Sequence, residues 1–229
     1  MTTIDFLKQA SLFKGLAERE LEILAADFVP REFQAGQAIF HQGDPGHMLY
    51  LVESGQVRIF VNGLDGHETS VVLYGRPGEI FGELAIIDGL PRSASAVAVM
   101  DTIVHTLSRG CFRAYMQRWP QLALNFMQTL TKKVRYNTHQ MDSLASMAVS
   151  QRLARKLLEL GQNYGSAETL GVRLNTALTQ SDLASMIGAT RESTNKVLRQ
   201  FRDDGMIALN NGQTIIIRDV EALRTMVSG

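Results

Sequence analysis

The chain has 229 residues, of which 45% are hydrophobic and 20% are charged, which is the composition of a globular protein with room for two domains. The 23 basic and 23 acidic residues cancel, which excludes a strongly basic chain, although residues 1–149 carry 13 basic and 15 acidic side chains and residues 150–229 carry 10 and 8. The single cysteine, Cys111, excludes an intramolecular disulfide, a four-thiolate iron–sulfur cluster and a cysteine-based zinc site within one chain.

The N-terminal part of the chain predicts short helices followed by many short strands. Residues 4–28 are expected to be helical, with core positions at Ile4, Leu7, Leu12, Phe13, Leu21, Ile23 and Leu24. From Phe33, β-rich runs such as MLYLV and VRIFV alternate with glycine turns, and the segment from Val97 to Leu107 closes the region. This spacing predicts an antiparallel sandwich, barrel or roll. The glycine turns are expected at Gly36, Gly43, Gly55, Gly63, Gly66, Gly75 and Gly78.

After Pro120 the pattern is helical for nearly thirty residues. Apolar positions recur there in alternating steps of four and three, at Ala123, Met127, Leu130, Val134, Asn137, Met141, Leu144 and Ala148. This heptad seam predicts a two-chain contact, and its one polar member, Asn137, is of the kind that specifies register and partner number. The alternative is a helix that packs only on its own domain.

The C-terminal part predicts a winged helix. A helix over Ser150–Leu160 ends at Gly161, residues 161–172 form a loop, and two short helices precede a hairpin. The hairpin consists of MIALN, the turn Asn211-Gly212 and TIIIR, and Asn-Gly between apolar runs is a strong hairpin signal.

Residues 179–201, TQSDLASMIGATRESTNKVLRQF, predict a helix-turn-helix. Thr179 caps the first helix with Asp182 three residues on, Gly188 supplies the turn, and Thr190 caps the second helix. At about 100° per residue, the polar residues of the second helix fall within an arc of roughly 140°, opposite its apolar residues. These polar residues are Arg191, Glu192, Asn195, Lys196 and Arg199. Such side chains suit base edges in the major groove; the alternative is a solvated charged face on an ordinary helical hairpin.

Two segments resemble the Crp/Fnr family of bacterial transcription regulators. Residues 81–94, FGELAIIDGLPRSA, are similar to the phosphate-binding cassette of cyclic-nucleotide-binding domains, with Gly-Glu-Leu, Pro91 and Arg92 at the family spacing. Residues 189–201, ATRESTNKVLRQF, resemble the family's recognition helix, and the likeness covers almost the whole chain. The resemblance implies an α+β fold with an N-terminal antiparallel β-roll as sensor (residues 1–119), a dimerisation helix and hinge (120–147) and a winged helix-turn-helix (148–229).

The resemblance also implies a ligand site for a cyclic nucleotide, with cyclic AMP the expected effector. Arg92 offers an always-charged planar fork to the phosphate, Ser93 a hydroxyl, and Gly82 a close backbone approach. The ribose 2′-OH is assigned to Glu83, although a simple Glu83–Arg92 salt bridge is an alternative. The full set is Gly82, Glu83, Leu84, Arg92, Ser93, Asn137 and Thr138, the last two facing adenine.

Two features depart from the family pattern. Ala148 stands where a family member has Asp at the start of the helix after the hinge, so Ser146 or Ser150 is expected to cap that helix. The adenine pair is Asn-Thr rather than Thr-Ser, and Arg-Ser-Ala also fits members that take guanine nucleotides. A different ligand, or activity without one, therefore stays open.

The function implied is ligand-controlled binding to a two-fold symmetric operator in double-stranded DNA, with half-sites related to TGTGA, by a homodimer that works with RNA polymerase. The expected DNA-binding residues are Thr179, Ser181, Thr190, Arg191, Glu192, Asn195 and Lys196. The alternative from another class is a nucleotide-sensing subunit that acts on a protein; it would not need the charged face of residues 191–199.

Other signals point away from catalysis, metals and membranes. GxSxG, HExxH and Walker-type motifs are absent, so we predict no enzyme, no catalytic residue and no metal. His41 and His47 are interpreted as loop residues rather than ligands, and His67, His105 and His139 as isolated. The N-terminus does not resemble a signal peptide, and no run approaches about 18 apolar residues, so we expect a cytoplasmic protein.

Overall fold

The computed structural model describes residues 2–63, 68–210 and 214–228, and the chain forms two compact units. The first unit contains Met1–His67 and Val71–Asn137, and the second contains Glu68–Ser70 and Thr138–Gly229. Helices and antiparallel sheets occur in both, which confirms the predicted α+β class. The three-part division at residues 119 and 147 stays a prediction.

The first unit begins with helices and continues into strands, as predicted. Its helices are α1 (Thr3–Gln9), α2 (Glu18–Asp27), α3 (Glu83–Asp88), α4 (Arg109–Arg118) and α5 (Pro120–Ser146), and a 3-10 turn covers Ser11–Phe13. Its strands are β1 (Val29–Phe33), β2 (Ala38–Phe40), β3 (Met48–Ser54), β4 (Val57–Asn62), β5 (Glu68–Tyr74), β6 (Ile80–Phe81), β7 (Ser95–Ala98) and β8 (Thr102–Ser108).

These strands form two four-stranded sheets, in the orders β1-β8-β3-β6 and β2-β7-β4-β5. Alternation of side chains along β3 buries Leu49 and Leu51 on one face, and its register pairs Leu51 with His105 of β8. An apolar cluster that includes Val52, Phe81 and Val104 is enclosed by the strands.

A larger core attaches the helices to the roll. It combines Phe6 and Leu7 of α1, Leu24 of α2 and Phe126 of α5 with the buried strand residue Leu107. Of the seven predicted N-terminal core positions, five are buried, while Ile4 and Ile23 are partly buried and pack on the same core.

The second unit is a small α/β domain. It contains the end of α5, then α6 (Val149–Tyr164), β9 (Gly165–Glu168), β10 (Gly171–Leu174), α7 (Gln180–Met186), α8 (Arg191–Asp203), β11 (Ile207–Asn210), β12 (Thr214–Ile217) and α9 (Val220–Ser228). The sheet order is β11-β12-β10-β9, and the β11–β12 hairpin pairs Ile207 with Ile217. The predicted Asn211-Gly212 turn, like Gly66 and His67, lies outside the described residues.

The expectation of a loop over residues 161–172 is wrong. Helix α6 continues to Tyr164, and β9 and β10 form a hairpin beyond it. Gly161 does not end the helix; a Cβ there would lie 3.1 Å from Cδ1 of Ile217, so the glycine allows the sheet to pack closely on α6.

The expected cap of α6 is also wrong. The N-cap residue is Ala148, whose N–H donates to Oε1 of Gln151, while the Ser146 hydroxyl donates to the Asp142 carbonyl within α5. Because α5 ends at Ser146, Ala148 does not extend the heptad seam.

We predict that Gly55→Ala destabilises the protein more than Gly36→Ala. Both glycines have positive φ (86° and 82°), which costs an alanine about 1–2 kcal/mol. A Cβ at Gly55 would also lie 2.4 Å from the Asp101 carbonyl oxygen, whereas nothing lies within 4 Å at Gly36, and overpacking adds about 1–3 kcal/mol. Urea unfolding of both variants measures the difference; equal losses would contradict it.

Candidate functional site

The turn between β6 and α3 brings three of the predicted site residues together. Gly82 is the N-cap of α3 and has φ 74°, and Glu83 begins the helix. A Cβ at Gly82 would lie 2.5 Å from Nη1 of Arg92, so both the backbone conformation and the close approach of Arg92 require glycine.

Arg92 is a buried cation. It is only 5% exposed, and it donates from Nη1 to the Gly82 carbonyl (2.7 Å) and from Nη2 to the Met48 carbonyl (2.8 Å). Burial lowers the pKa of its guanidinium below the ordinary arginine value. Among the described ion pairs none involves Arg92, so no carboxylate touches this charge. The two carbonyls and the Tyr50 hydroxyl are its hydrogen-bond partners, and the carboxylates of Glu83 and Asp44 act on it from a greater distance.

Glu83 pairs with Lys133 of α5 and not with Arg92, so the alternative of a Glu83–Arg92 salt bridge is not observed. The Lys133 Nζ lies 3.0 Å from Oε1 of Glu83 and donates to the Ile80 carbonyl at 2.8 Å. The same Nζ lies 4.9 Å from the ring centroid of Tyr74. Burial, and then the charge of Glu83, raise the pKa of the Tyr74 hydroxyl well above its ordinary value.

Lys133 is a site residue that sequence reasoning missed. It precedes Asn137 by four residues and so lies on the same side of α5, which was the available signal. With it, α5 supplies a cation to the carboxylate predicted to face the ribose.

The other predicted ligand residues are exposed side chains. Leu84 is 48% exposed on α3, and Ser93 is exposed beside Arg92. Asn137 and Thr138 are exposed on α5, where the first unit ends and the second begins. The structure therefore brings Gly82, Glu83 and Arg92 together, and the ligand-binding roles of all seven residues stay predictions.

The predicted helix-turn-helix corresponds to α7 and α8. Thr179 accepts from the Asp182 N–H and Asp182 accepts from the Thr179 N–H, which is the expected capping box. Thr190 caps α8 by accepting from the Ser193 N–H at 3.1 Å. Gly188 between them has φ 59°, as the turn requires.

Helix α8 divides into two faces as predicted. Thr194, Leu198 and Phe201 are buried. The exposed side chains include Arg191, Glu192, Lys196 and Arg199. Asn195 is half-buried, and its Oδ1 is buried without a hydrogen-bond partner among the described residues. Thr179, Ser181 and Thr190 are exposed at the starts of the two helices, where backbone N–H groups are available to phosphates.

The histidines give one correction. The expectation that His105 is isolated is wrong, because its Nε2 lies 2.6 Å from Oε2 of Glu53 and its ring stacks on Phe6 at 4.8 Å. His41 and His47 are exposed, and within residues 2–63, 68–210 and 214–228 no group of three potential metal ligands is found. In the same ranges no helix is long and apolar enough to cross a membrane.

Comparisons with known proteins match both units. Residues 30–118 match the cyclic nucleotide-binding domain family, and residues 151–226 match the Crp-like helix-turn-helix domain family. The cyclic AMP receptor protein of Thermus thermophilus is 35% identical over 97% of this chain and 99% of its own length. A CRP-like cAMP-activated global transcriptional regulator of Mycobacterium tuberculosis is 32% identical over 96% and 97%. The structure of FixK2 from Bradyrhizobium japonicum shares the fold, with a TM-score of 0.78, 21% identity and coverage of 87% of this chain and 96% of that one.

We predict that Lys133→Met destabilises the protein by about 3 kcal/mol, because it leaves the Glu83 carboxylate buried and unpaired. Adding Glu83→Gln should recover part of this loss, since the uncompensated charge is then removed. The matched control is Lys132→Met at the neighbouring exposed lysine, with an expected change within about 0.5 kcal/mol. Urea unfolding measures all three, and equal stability of the two lysine variants would refute the prediction.

Proposed function

Because this chain belongs to the Crp/Fnr family of bacterial transcription regulators, we propose that it controls transcription by binding a cyclic nucleotide, cyclic AMP above others, in its first unit. The family and both domain matches make it a ligand-controlled DNA-binding regulator. Both relatives with the highest identity quoted above are named for cyclic AMP, which supports that effector here.

The observation that carries the ligand proposal is the desolvated Arg92. A guanidinium that is 5% exposed and has no carboxylate partner among the described ion pairs has capacity left for an anion. Glu83 begins α3, and its carboxylate oxygens accept hydrogen bonds, as a ribose hydroxyl requires. A cyclic phosphate attached to a ribose satisfies both groups at once.

We expect the full chain to bind cyclic AMP with micromolar affinity in calorimetry and Arg92→Ala to weaken binding by roughly 30-fold or more. Truncating one side of a buried charged contact typically costs about 2–5 kcal/mol. Arg113→Ala, at an exposed arginine of α4, is the control and should bind as wild type does. Cyclic GMP is titrated in parallel, and a preference for it would name the other purine. If neither nucleotide binds, the effector belongs to another class.

The DNA proposal rests on the faces of α8. The capped N-terminal turns present Arg191, Glu192 and Lys196 to solvent while Leu198 and Phe201 fix the helix in the domain. Arg donates twice to guanine O6 and N7, and Glu accepts from cytosine N4, so these residues suit half-sites related to TGTGA. Asn195, Thr179, Ser181 and Thr190 complete the proposed contact set.

A homodimer supplies the two-fold symmetry of the operator. Met127, Val134 and Met141 lie at intervals of seven on α5 and are 52%, 64% and 70% exposed, whereas Leu122 and Phe126 of the same helix are buried in the first unit. One face of α5 therefore packs on its own unit, and the other is available to a second copy, with Asn137 in the seam. The family docking geometry implies recognition helices about 34 Å apart.

The proposed ligand residue Asn137 is also a seam residue, which suggests how the signal is transmitted. A nucleotide that contacts Asn137 changes the packing of the two α5 helices, and it thereby changes the distance between the two α8 recognition helices of the dimer. This requires tighter binding to the DNA-competent arrangement than to the other. We further propose RNA polymerase as the partner at promoters, a cytoplasmic location where that DNA lies, and regulation without enzymatic activity.

Arg191→Ala should cost about 1–3 kcal/mol of affinity for the symmetric operator and relax selectivity at one base pair of each half-site. Anisotropy titrations at one salt concentration, on the operator and on single-base variants, measure this with two chains bound per operator. Arg224→Ala on α9 removes an equal charge from an exposed site and serves as the control. An equal loss on every DNA sequence would show that Arg191 contacts only the backbone.

A further inference from the structure

Arg92 packs against two aromatic rings, Phe40 and Tyr50, that lie outside the cassette motif of residues 81–94. The centre of its guanidinium lies 4.2 Å from the ring centroid of Phe40 and 5.4 Å from that of Tyr50. The Tyr50 ring in turn stacks on Phe81, with centroids 4.9 Å apart and planes inclined by 12°. Phe40 is therefore the nearest aromatic face to the buried charge.

The chain holds Phe40 and Arg92 in place from both sides. Phe40 is the last residue of β2 and pairs with Ala96 of β7, four residues after Arg92. The loop that follows Phe40 fixes the Arg92 backbone, since the Gly43 N–H donates to the Arg92 carbonyl and the Arg92 N–H donates to the Asp44 carbonyl, each at 2.8 Å. Main-chain hydrogen bonds therefore fix the backbones of both Phe40 and Arg92, which places the ring against the guanidinium.

Hydrogen bonds replace only part of the hydration that the buried Arg92 guanidinium has lost. A guanidinium has five N–H donors; the Gly82 and Met48 carbonyls take two, and the Tyr50 hydroxyl is a further hydrogen-bond partner. Its Nε is buried without a partner among the described residues. A ring face attracts a cation through its quadrupole, most strongly where water is excluded, so Phe40 supplies part of the missing solvation.

We propose that Phe40 is a positioning residue for the ligand phosphate: its ring helps to hold the Arg92 guanidinium in place while unused donors stay available to the anion. This proposal rests on the proposed cyclic-nucleotide function and adds a positioning contact from strand β2. An aliphatic side chain would fill the space but leave the cation without this attraction, and the guanidinium would lose its fixed orientation.

The test compares wild type with Phe40→Leu, Phe40→Tyr and a matched control, Phe33→Leu. Phe33 belongs to the same apolar cluster and is also partly buried, but no described guanidinium lies over its ring. Calorimetry with cyclic AMP should show binding weakened about tenfold in Phe40→Leu and changed less than twofold in Phe40→Tyr and Phe33→Leu. Thermal melting of each variant verifies that it is folded.

A spectroscopic measurement separates positioning from general packing. In ¹⁵N-resolved proton spectra of the ligand-free chain, the Arg92 Nε–H resonance should carry a ring-current shift that is lost in Phe40→Leu and kept in Phe40→Tyr and Phe33→Leu. Equal losses of affinity in the two leucine variants, or an unchanged Arg92 resonance in Phe40→Leu, would overturn the proposal.

Calorimetry on wild type and Phe40→Leu distinguishes a wrong role for Phe40 from a wrong effector. If wild type binds cyclic AMP and Phe40→Leu binds it equally well, the role of Phe40 is refuted and the nucleotide site stands. If wild type binds neither cyclic AMP nor cyclic GMP, the proposed effector is refuted and the role of Phe40 with it.

Discussion

The sensor unit is organised around one constraint, the desolvation of the Arg92 charge. Moving a cation out of water is costly unless dipoles or counter-charges replace the lost hydration. Here two backbone carbonyls and an aromatic face serve that purpose, and each needs a particular local structure. The left-handed Gly82 lets the guanidinium approach, and β2 ends where Phe40 meets it. The turn at Gly82, the end of β2 at Phe40 and the loop that follows β2 all contribute to holding this one charge in a buried position.

Two of the carboxylates in this unit make contacts that tie distant segments together. Glu83 forms its ion pair with Lys133 and not with Arg92, so the Arg92 guanidinium stays free of a direct carboxylate contact. Glu53 and His105 form a second buried contact between β3 and β8, beneath Phe6 of α1. The stacking of Phe6 on the His105 ring joins α1 to the sheet that contains β3 and β8.

Local signals in the sequence predicted much of the fold and of the local geometry at both candidate sites, whose ligand and DNA contacts stay predictions. Capping at Thr179 and Thr190, the turn at Gly188 and the Gly82–Arg92 cassette all depend on residues within about ten positions. Contacts between distant segments were not visible: Phe40 lies 52 positions from Arg92, and Lys133 lies 50 from Glu83. The prediction that α6 ends at Gly161 was wrong because glycine can either end a helix or allow a neighbouring side chain to pack closely on it. Only the position of Ile217 in the fold distinguishes the two roles.

The pairing of Glu83 with Lys133 also limits how such a sensor can evolve. The two residues lie on segments far apart in the sequence, and losing Lys133 leaves the buried Glu83 carboxylate unpaired. A lineage that replaces Lys133 must therefore also replace Glu83, or pass through an intermediate of reduced stability. Since Lys133 lies on the long helix α5, substitutions in the turn that begins α3 and substitutions on that helix constrain one another.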